Sequence, residues 1–248
     1  MRIATWNVNG IRARQAQVCE WLERDQPDVV CLQELKASPA QIPDQCKMPD
    51  YHVYWHGVRA YSGVSLHIRK GLFERDPEFT HPEFDMEERI VQVAFGNLVL
   101  ASVYVPNGGK DYPAKLRFLA ALEEFAAEMS SEPQPIVICG DLNIARTAMD
   151  VHPKERKPDS IGQLPEERAQ LERIIDRGRL IDTGRALAPD DDQMFTWWAP
   201  WRNMRQRNIG WRLDYLLASQ SLFATVTGCV VQREVGTSDH APVVATFG

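Results

Sequence analysis

The chain alternates for most of its length between short apolar runs and polar punctuation. Strand character appears in "IATWNV", "PDVVCLQ", "YHVYW", "GVSLHI", "IVQVAF", "LVLASVYV", "PIVICG", "WRLDYLL", "TGCVVQ" and "APVVATF". Each is short, rich in β-branched and aromatic residues, and bounded by turn formers, which predicts strands. In "GVSLHIRK", Val64, Leu66 and Ile68 fall on one face and Ser65, His67 and Arg69 on the other, the two-residue period of a pleated strand. "IVQVAFGNLVLASVYV" reads as a hairpin that turns at Gly96-Asn97.

Elsewhere the period lengthens to that of a helix. Val18, Trp21 and Leu22 form one apolar stripe. Leu116, Leu119, Leu122 and Phe125 form a second, and Leu171, Ile174 and Ile175 a third, ended by Gly178. Many strands with a few interspersed helices predict sheets packed face to face with helices outside. Alternating, hairpin-linked strands favour mixed or antiparallel sheets over a doubly wound parallel one. No repeat or low-complexity tract stands out, and one domain over residues 1–248 is expected. The proline-rich "MSSEPQPI" at 129–136 connects a helix to a strand and is a candidate midpoint between two halves.

With 248 residues, 44% of them hydrophobic, the chain can bury a substantial core. Its five cysteines are odd in number and lack zinc-ligand spacing. Cys31 and Cys139 lie in apolar runs, which suggests buried thiols in a reducing compartment. No long apolar segment follows Arg2 and no run approaches a membrane span, so a soluble cytoplasmic protein is expected, acting as a monomer and without a membrane partner. The net charge of −6 argues mildly against a nucleic-acid partner. Its distribution argues the other way. Residues 201–212, "WRNMRQRNIGWR", hold four arginines, two tryptophans and no acid, and "HPKERK" at 152–157 adds a second basic cluster. A local basic stripe steers a polyanion to one face even of an acidic protein.

Several strands end in chemically capable residues. These are Asn7 and Asn9; Gln33, Glu34 and Lys36; Tyr104, Asn107 and Lys110; Asp141 and Asn143; and Asp239 with His240. Taken singly, each has a structural reading as a turn, a helix cap or a solvated carboxylate. Asp214 is different. It sits among Leu213, Tyr215, Leu216 and Leu217, and burial without a partner would cost several kcal/mol. A histidine or arginine is expected to meet it. Strands of a sandwich expose their ends at two rims, so these residues can converge at one.

In chain order, "WNVNGIRA", "LQELK", "YSGVSLHIRK", "SVYVPNGGK", "GDLNIA", "GWRLDYLL" and "SDHAPV" resemble the motif set of the exonuclease III family of AP endonucleases, within the endonuclease/exonuclease/phosphatase superfamily. The resemblance runs from Ile3 to Val244. It implies a four-layer α/β sandwich with the active site at one rim, and phosphodiester hydrolysis dependent on Mg2+ or Mn2+. By motif, Asn7, Glu34 and Asp239 resemble the metal-binding set, all oxygen ligands suited to a hard cation. Asp141 resembles the carboxylate that activates water, and Asn143 the amide that holds that water or the phosphate. His240 resembles the histidine facing the scissile phosphate, with Asp214 as its carboxylate partner, raising its pKa. Tyr104 and Asn107 resemble phosphate contacts.

The same resemblance implies double-stranded DNA with abasic sites or blocked 3′ ends as the partner. Trp197, Trp211 and Leu213 would line a pocket for a flipped-out abasic sugar, and Trp201 would meet the DNA groove. Arg202, Arg205, Arg207 and Arg212 would contact phosphates, and Lys110 would add a point charge. The chain departs from the family pattern at Pro153, Lys157 and Ser160, where asparagines are usual, and at His67, read as structural. Two rival readings stand beside this one. A superfamily phosphoesterase acting on a lipid headgroup or inositol phosphate would be expected to lack the Trp/Arg loop. A non-catalytic DNA-binding protein would have lost one of Glu34, Asp141, Asp239 or His240, and all four are present.

Overall fold

The computed structural model describes residues 1–58 and 60–248. The elements run β1 (Arg2–Asn7), α1 (Ile11–Asp25), β2 (Val29–Gln33), β3 (Tyr51–Val58), β4 (Tyr61–Arg69), β5 (Glu78–Thr80), β6 (Ile90–Phe95), β7 (Leu98–Tyr104) and α2 (Tyr112–Met129). Then follow β8 (Ile136–Asp141), α3 (Pro165–Arg177), β9 (Leu180–Asp182), α4 (Thr183–Leu187), β10 (Asp214–Ser219), α5 (Gln220–Phe223), β11 (Val226–Val231) and β12 (Val243–Phe247). They form two six-stranded sheets, ordered β11-β12-β1-β2-β4-β3 and β5-β6-β7-β8-β10-β9.

Both sheets are mixed, and in the same way. Each has one parallel pair at its centre, β1 with β2 and β7 with β8, flanked by antiparallel neighbours. A parallel pair needs a crossover, and α1 and α2 supply the two. The hairpin falls where the alternation placed it, with Phe95 opposite Leu98 across Gly96-Asn97.

The strand period decides the layers. Ile3, Cys31, Val64 and Leu66 of one sheet meet Val93, Leu100, Val137, Cys139 and Leu216 of the other in a shared core. Their alternates face outward. Ala4, Trp6, Val30 and Leu32 pack under Val18, Trp21 and Leu22 of α1. Ala101, Val103, Ile136 and Ile138 pack under Phe118, Leu119 and Leu122 of α2 and Leu171 and Ile174 of α3. The result is a four-layer α/β sandwich.

Two expectations change, and the structural reading of His67 gains its reason. The stripe of α2 uses Phe118, which is buried, where Leu116 is only partly so. The polar face of β4 is not solvated, because Ser65 and His67 are fully buried. His67 bonds Ser65 Oγ at 2.7 Å and meets the Trp55 ring edge-on, and burial pushes its pKa down to about 3. It is a neutral, structural histidine. Residues 129–136 do not divide the sheets, since β5 to β10 all belong to one sheet and only β11 and β12 return to the other.

Candidate active site

The four central strands deliver their C-terminal ends to one rim. Asn7 closes β1, Gln33 closes β2, Tyr104 closes β7 and Asp141 closes β8. The carboxyl ends of parallel strands are where open α/β sheets bind ligands. Alternation then aims the side chains. Asp141 shares a face with Val137 and Cys139, Asp214 with Leu216 and Ala218, and Tyr104 with Leu100, all pointing between the sheets. Asn7 reaches across the gap, donating from Nδ2 to Asp141 Oδ2 at 2.8 Å.

Asp141 and Asp214 are register partners across β8 and β10. His240 balances them. Its Nδ1 lies 2.8 Å from Asp214 Oδ2, and its Nε2 lies 3.8 Å from Asp141 Oδ2. All three side chains are buried. Burial opposes a charge on the imidazole, but Asp214 and then Asp141 outweigh it and lift the pKa to about 10. Burial likewise lifts Asp141 to about 7, against the pull of His240 and the hydrogen bonds of Asn7 and Asn143. Asn143 donates its backbone N–H to Asp141 Oδ1 at 2.9 Å and its Nδ2 to the Val105 carbonyl at 2.9 Å. The Tyr104 hydroxyl is held well above its usual pKa by burial and by the neighbouring Glu34 and Asp141, so it stays a neutral donor.

Asp239 and Glu34 stand on the adjoining side. Asp239 Oδ1 accepts from Asn9 Nδ2 at 2.7 Å, and Oδ2 from Trp197 Nε1 at 3.0 Å. Lys36 Nζ lies 2.8 Å from Glu34 Oε1 and 2.7 Å from Asn9 Oδ1. Glu34 has a φ of 56°, a left-handed conformation unusual for a glutamate and common at functional sites. Gly10 N–H holds its carbonyl at 2.8 Å.

The donor set fits a hard cation. Asn7, Glu34 and Asp239 offer side-chain oxygens, and the ammonium of Lys36 already lies against one of the carboxylates. Asp141, Asp214 and His240 also bring ligand atoms within 4.8 Å of one another, a group that can hold a metal ion. The ion pair of His240 with Asp214, and its raised pKa, favour a protonated imidazole, which has no lone pair left for a metal.

Above these groups opens a cleft of about 400 Å³. Glu34, Tyr104, Asn107, Asp141, Asn143 and His240 line its polar side, and Trp197, Trp211, Leu213 and Ile161 its apolar side. Trp197 and Trp211 meet edge to face at 5.6 Å. Gly162 has a φ of +88°, and a Cβ there would stand 3.0 Å from the Trp211 ring, so this wall admits glycine. Among the expected DNA contacts, Trp201 is 59% exposed, and Arg202, Arg207 and Lys110 are exposed. Lys110 lies over the Tyr61 ring, outside the cleft. Arg207 faces the 152–157 cluster, where it, Lys154 and Arg156 hold down the pKa of His152 together with the larger effect of burial. The two basic clusters therefore share one surface.

Two arginines do not serve as expected. Arg212 is 2% exposed, with Nε on Asp150 and both Nη on Asp182 at 2.7–2.8 Å, so it cannot reach a phosphate. Arg205 spends its guanidinium on the carbonyls of Arg233, Val235 and Ser238, and stacks on Trp198. It shapes the turn that presents Asp239 and His240. The sequence left Asn9 and Lys36 without a role, although each lies two residues beyond Asn7 or Glu34 in the loops that follow β1 and β2. Ile161 and Gly162 carried no chemical signal, and only their fold neighbours Asn143 and Trp211 place them at the cleft.

Fold and site together define a hydrolase of the α/β-sandwich type, built around an acid-flanked histidine at a shared sheet rim. The chain belongs to the Endonuclease/Exonuclease/phosphatase family, whose sequence profile matches residues 4–240. It is 31% identical over 252 residues to an exodeoxyribonuclease of Bacillus subtilis, with 98% of each chain covered. Its structure superposes on an AP endonuclease from Archaeoglobus fulgidus with a TM-score of 0.89 at 28% identity, covering 100% of this chain and 99% of that one. A 3′ phosphatase from Neisseria, bound to a product DNA hairpin, gives 0.90 at 30% identity, with 100% and 99% covered.

Proposed function

We propose that this protein is a DNA-repair phosphodiesterase that hydrolyses duplex DNA 5′ to abasic sites and also trims 3′ ends. The row Asp214–His240–Asp141 beneath a tryptophan-lined cleft carries this reading. An acid near neutrality beside a protonated histidine suits hydrolysis of a phosphodiester, in which negative charge grows on the phosphoryl oxygens and on the leaving 3′-oxygen. Asp141, at about 7, takes the proton of the attacking water, while Asn7 and Asn143 fix its two oxygens. His240, held protonated by Asp214, presents positive charge to the phosphate. Tyr104 and Asn107, on the same polar side of the cleft, donate to its oxygens. Asn7, Glu34 and Asp239 would hold Mg2+ or Mn2+, which polarises a phosphoryl oxygen and lowers the pKa of bound water.

Substrate choice follows from the apolar wall. An abasic sugar enters a slot between Trp197, Trp211 and Leu213 that an intact nucleotide overfills, and flipping it unstacks no base. The exposed Trp201 and the shared basic surface suit a duplex and not a lipid headgroup. The exodeoxyribonuclease, AP endonuclease and 3′ phosphatase relatives support both the internal and the 3′-terminal activities. A duplex with one tetrahydrofuran analogue tests the reading. Incision directly 5′ to the analogue is expected with MgCl2 and none in chelator; full incision in chelator, or none with metal, overturns it.

A further inference from the structure

Away from the cleft, the free edge of one sheet meets the approach to the free edge of the other. Among the described residues, β3 pairs on one side only, and so does β5. His56 lies on β3 beside a register shift between His56 and Val58. The loop 81–89, between β5 and β6, carries His81 and Asp85. His56 Nε2 stands 2.5 Å from Asp85 Oδ2. The rings of His56 and His81 stack with centroids 4.6 Å apart and planes 17° from parallel. One ligand atom from each of the three lies within 4.8 Å of the others.

Asp85 is already oriented. Its Oδ1 accepts the backbone N–H of Arg89 at 2.8 Å and of Ile90 at 3.1 Å. Oδ2 is thereby left facing the histidines, in the way outer hydrogen bonds usually fix a ligating carboxylate. The side chains of His56 and Asp85 are 14% and 6% exposed, while His81 is open to solvent. The cluster thus has a built wall and an accessible side.

We propose that His56, His81 and Asp85 form a second metal site, distinct from the cleft, for a divalent transition ion such as Zn2+. Two imidazoles and one carboxylate are a borderline donor set, which favours zinc and its neighbours, whereas the oxygens of the cleft favour harder ions. His56 offers the Nε2 lone pair when its ring proton resides on Nδ1. Ligand atoms around a tetrahedral ion with bonds of about 2.0–2.1 Å stand roughly 3.3 Å apart. His56 and Asp85 must open slightly, and the exposed His81 must close. Water completes the shell on the open side. The bound ion staples β3 of one sheet to the loop that enters β6 of the other. It stiffens the seat of Arg89, whose guanidinium packs on the rings of Tyr61 and Tyr104 at 5.4 and 4.8 Å.

Calorimetric titration of the full chain with ZnCl2, in excess MgCl2 to occupy the cleft, decides the matter. The unaltered protein is expected to take up one zinc more than His81→Gln or Asp85→Asn, and zinc is expected to raise its Tm and not theirs. Asp85→Asn keeps an oxygen for the two backbone N–H groups, and His81→Gln changes an exposed side chain, so both variants should fold. Co2+ should give tetrahedral absorption bands with the unaltered protein that His81→Gln abolishes. Coincident isotherms for all three proteins overturn the site. Loss of zinc in one variant with retention in the other also overturns it, because a surface histidine or a lone carboxylate would then explain the binding.

Discussion

Asp141 and Asp214 stand directly opposite each other on adjacent antiparallel strands, and the imidazole of His240 spans both. Neighbouring buried carboxylates repel, so each depends on the cation between them. Asp214→Ala and His240→Ala should therefore be strongly non-additive: either alone is expected to remove most of the turnover that both together remove. A double-mutant cycle on kcat reads this out directly. Independent, additive losses would mean that the pair does not act as a unit.

Asp141→Asn preserves the shape of the side chain and its contact with Asn143 N–H but cannot accept a proton. Gel shifts on the abasic duplex should change little, while kcat falls by orders of magnitude. A variant with near-normal turnover would remove Asp141 from the role of base.

Trp201 and Trp211 should separate by experiment. Trp201 is exposed, so Trp201→Ala should leave Tm nearly unchanged, within about 0.5 kcal/mol of stability, and weaken binding to duplex. Trp211 lines the cleft and meets Trp197, so Trp211→Ala should lower the ratio of abasic to intact cleavage more than turnover on 3′ ends. A sharp fall in Tm with an unchanged ratio would make Trp211 a core residue only.

Beneath the cleft, Lys115 and Glu167 form a fully buried ion pair. Lys115 Nζ also donates to the Asn143 carbonyl at 2.8 Å, and Glu167 Oε2 accepts from Gly162 N–H at 2.6 Å and Leu164 N–H at 3.1 Å. The pair thus holds two loops of the cleft floor. Lys115→Met strands a buried carboxylate and should cost about 3–5 kcal/mol, whereas replacing both partners with apolar residues should cost less. Urea denaturation of the single and double variants checks the order.

Acid stability should depend on Asp150. Burial opposes its charge, but Arg212 and Arg185 outweigh that and hold its pKa at about 2, against 3.8 for a free side chain. A depressed folded pKa gives stability that is complete above about pH 4 and is lost as pH falls toward 2, here about 2 kcal/mol. Asp150→Asn should be less stable at neutral pH, because it leaves two guanidinium groups short of a partner, and should lose less on acidification. Equal acid sensitivity of the two proteins would assign the loss to other carboxylates.

Period and turn chemistry made most strands legible, because alternation reports which face is covered. β5 and β9, three residues each, are too short to show a period. The site was legible as a set of polar strand ends, since an aspartate inside "WRLDYLL" demands a partner wherever the chain folds. What the partner of an arginine is cannot be read locally. Arg212 finds Asp150 and Asp182, 62 and 30 residues away, and becomes part of the core, while Arg207, five residues before it, remains in solvent. Charge alone does not distinguish them. The cluster of His56, His81 and Asp85 was silent for the same reason, because an edge strand and a loop from separate segments bring it together.

β1 lies between β2 and β12, and the backbone N–H of Phe247 donates to the carbonyl of Met1 at 2.8 Å. β1 thus waits for a strand from far along the chain. Asn7, already translated, can meet Asp141 early, but the histidine and Asp239 arrive with residues 239–240, and β1 remains an unpaired edge until β12 follows. Such long-range closure slows folding and leaves the nascent chain exposed to misassociation. It also leaves the acid set without its counter-charge until residues 239–240 are present: a chain stalled before Asp239 carries Asn7, Glu34, Asp141 and Asp214 but not the imidazole that sits between the last two.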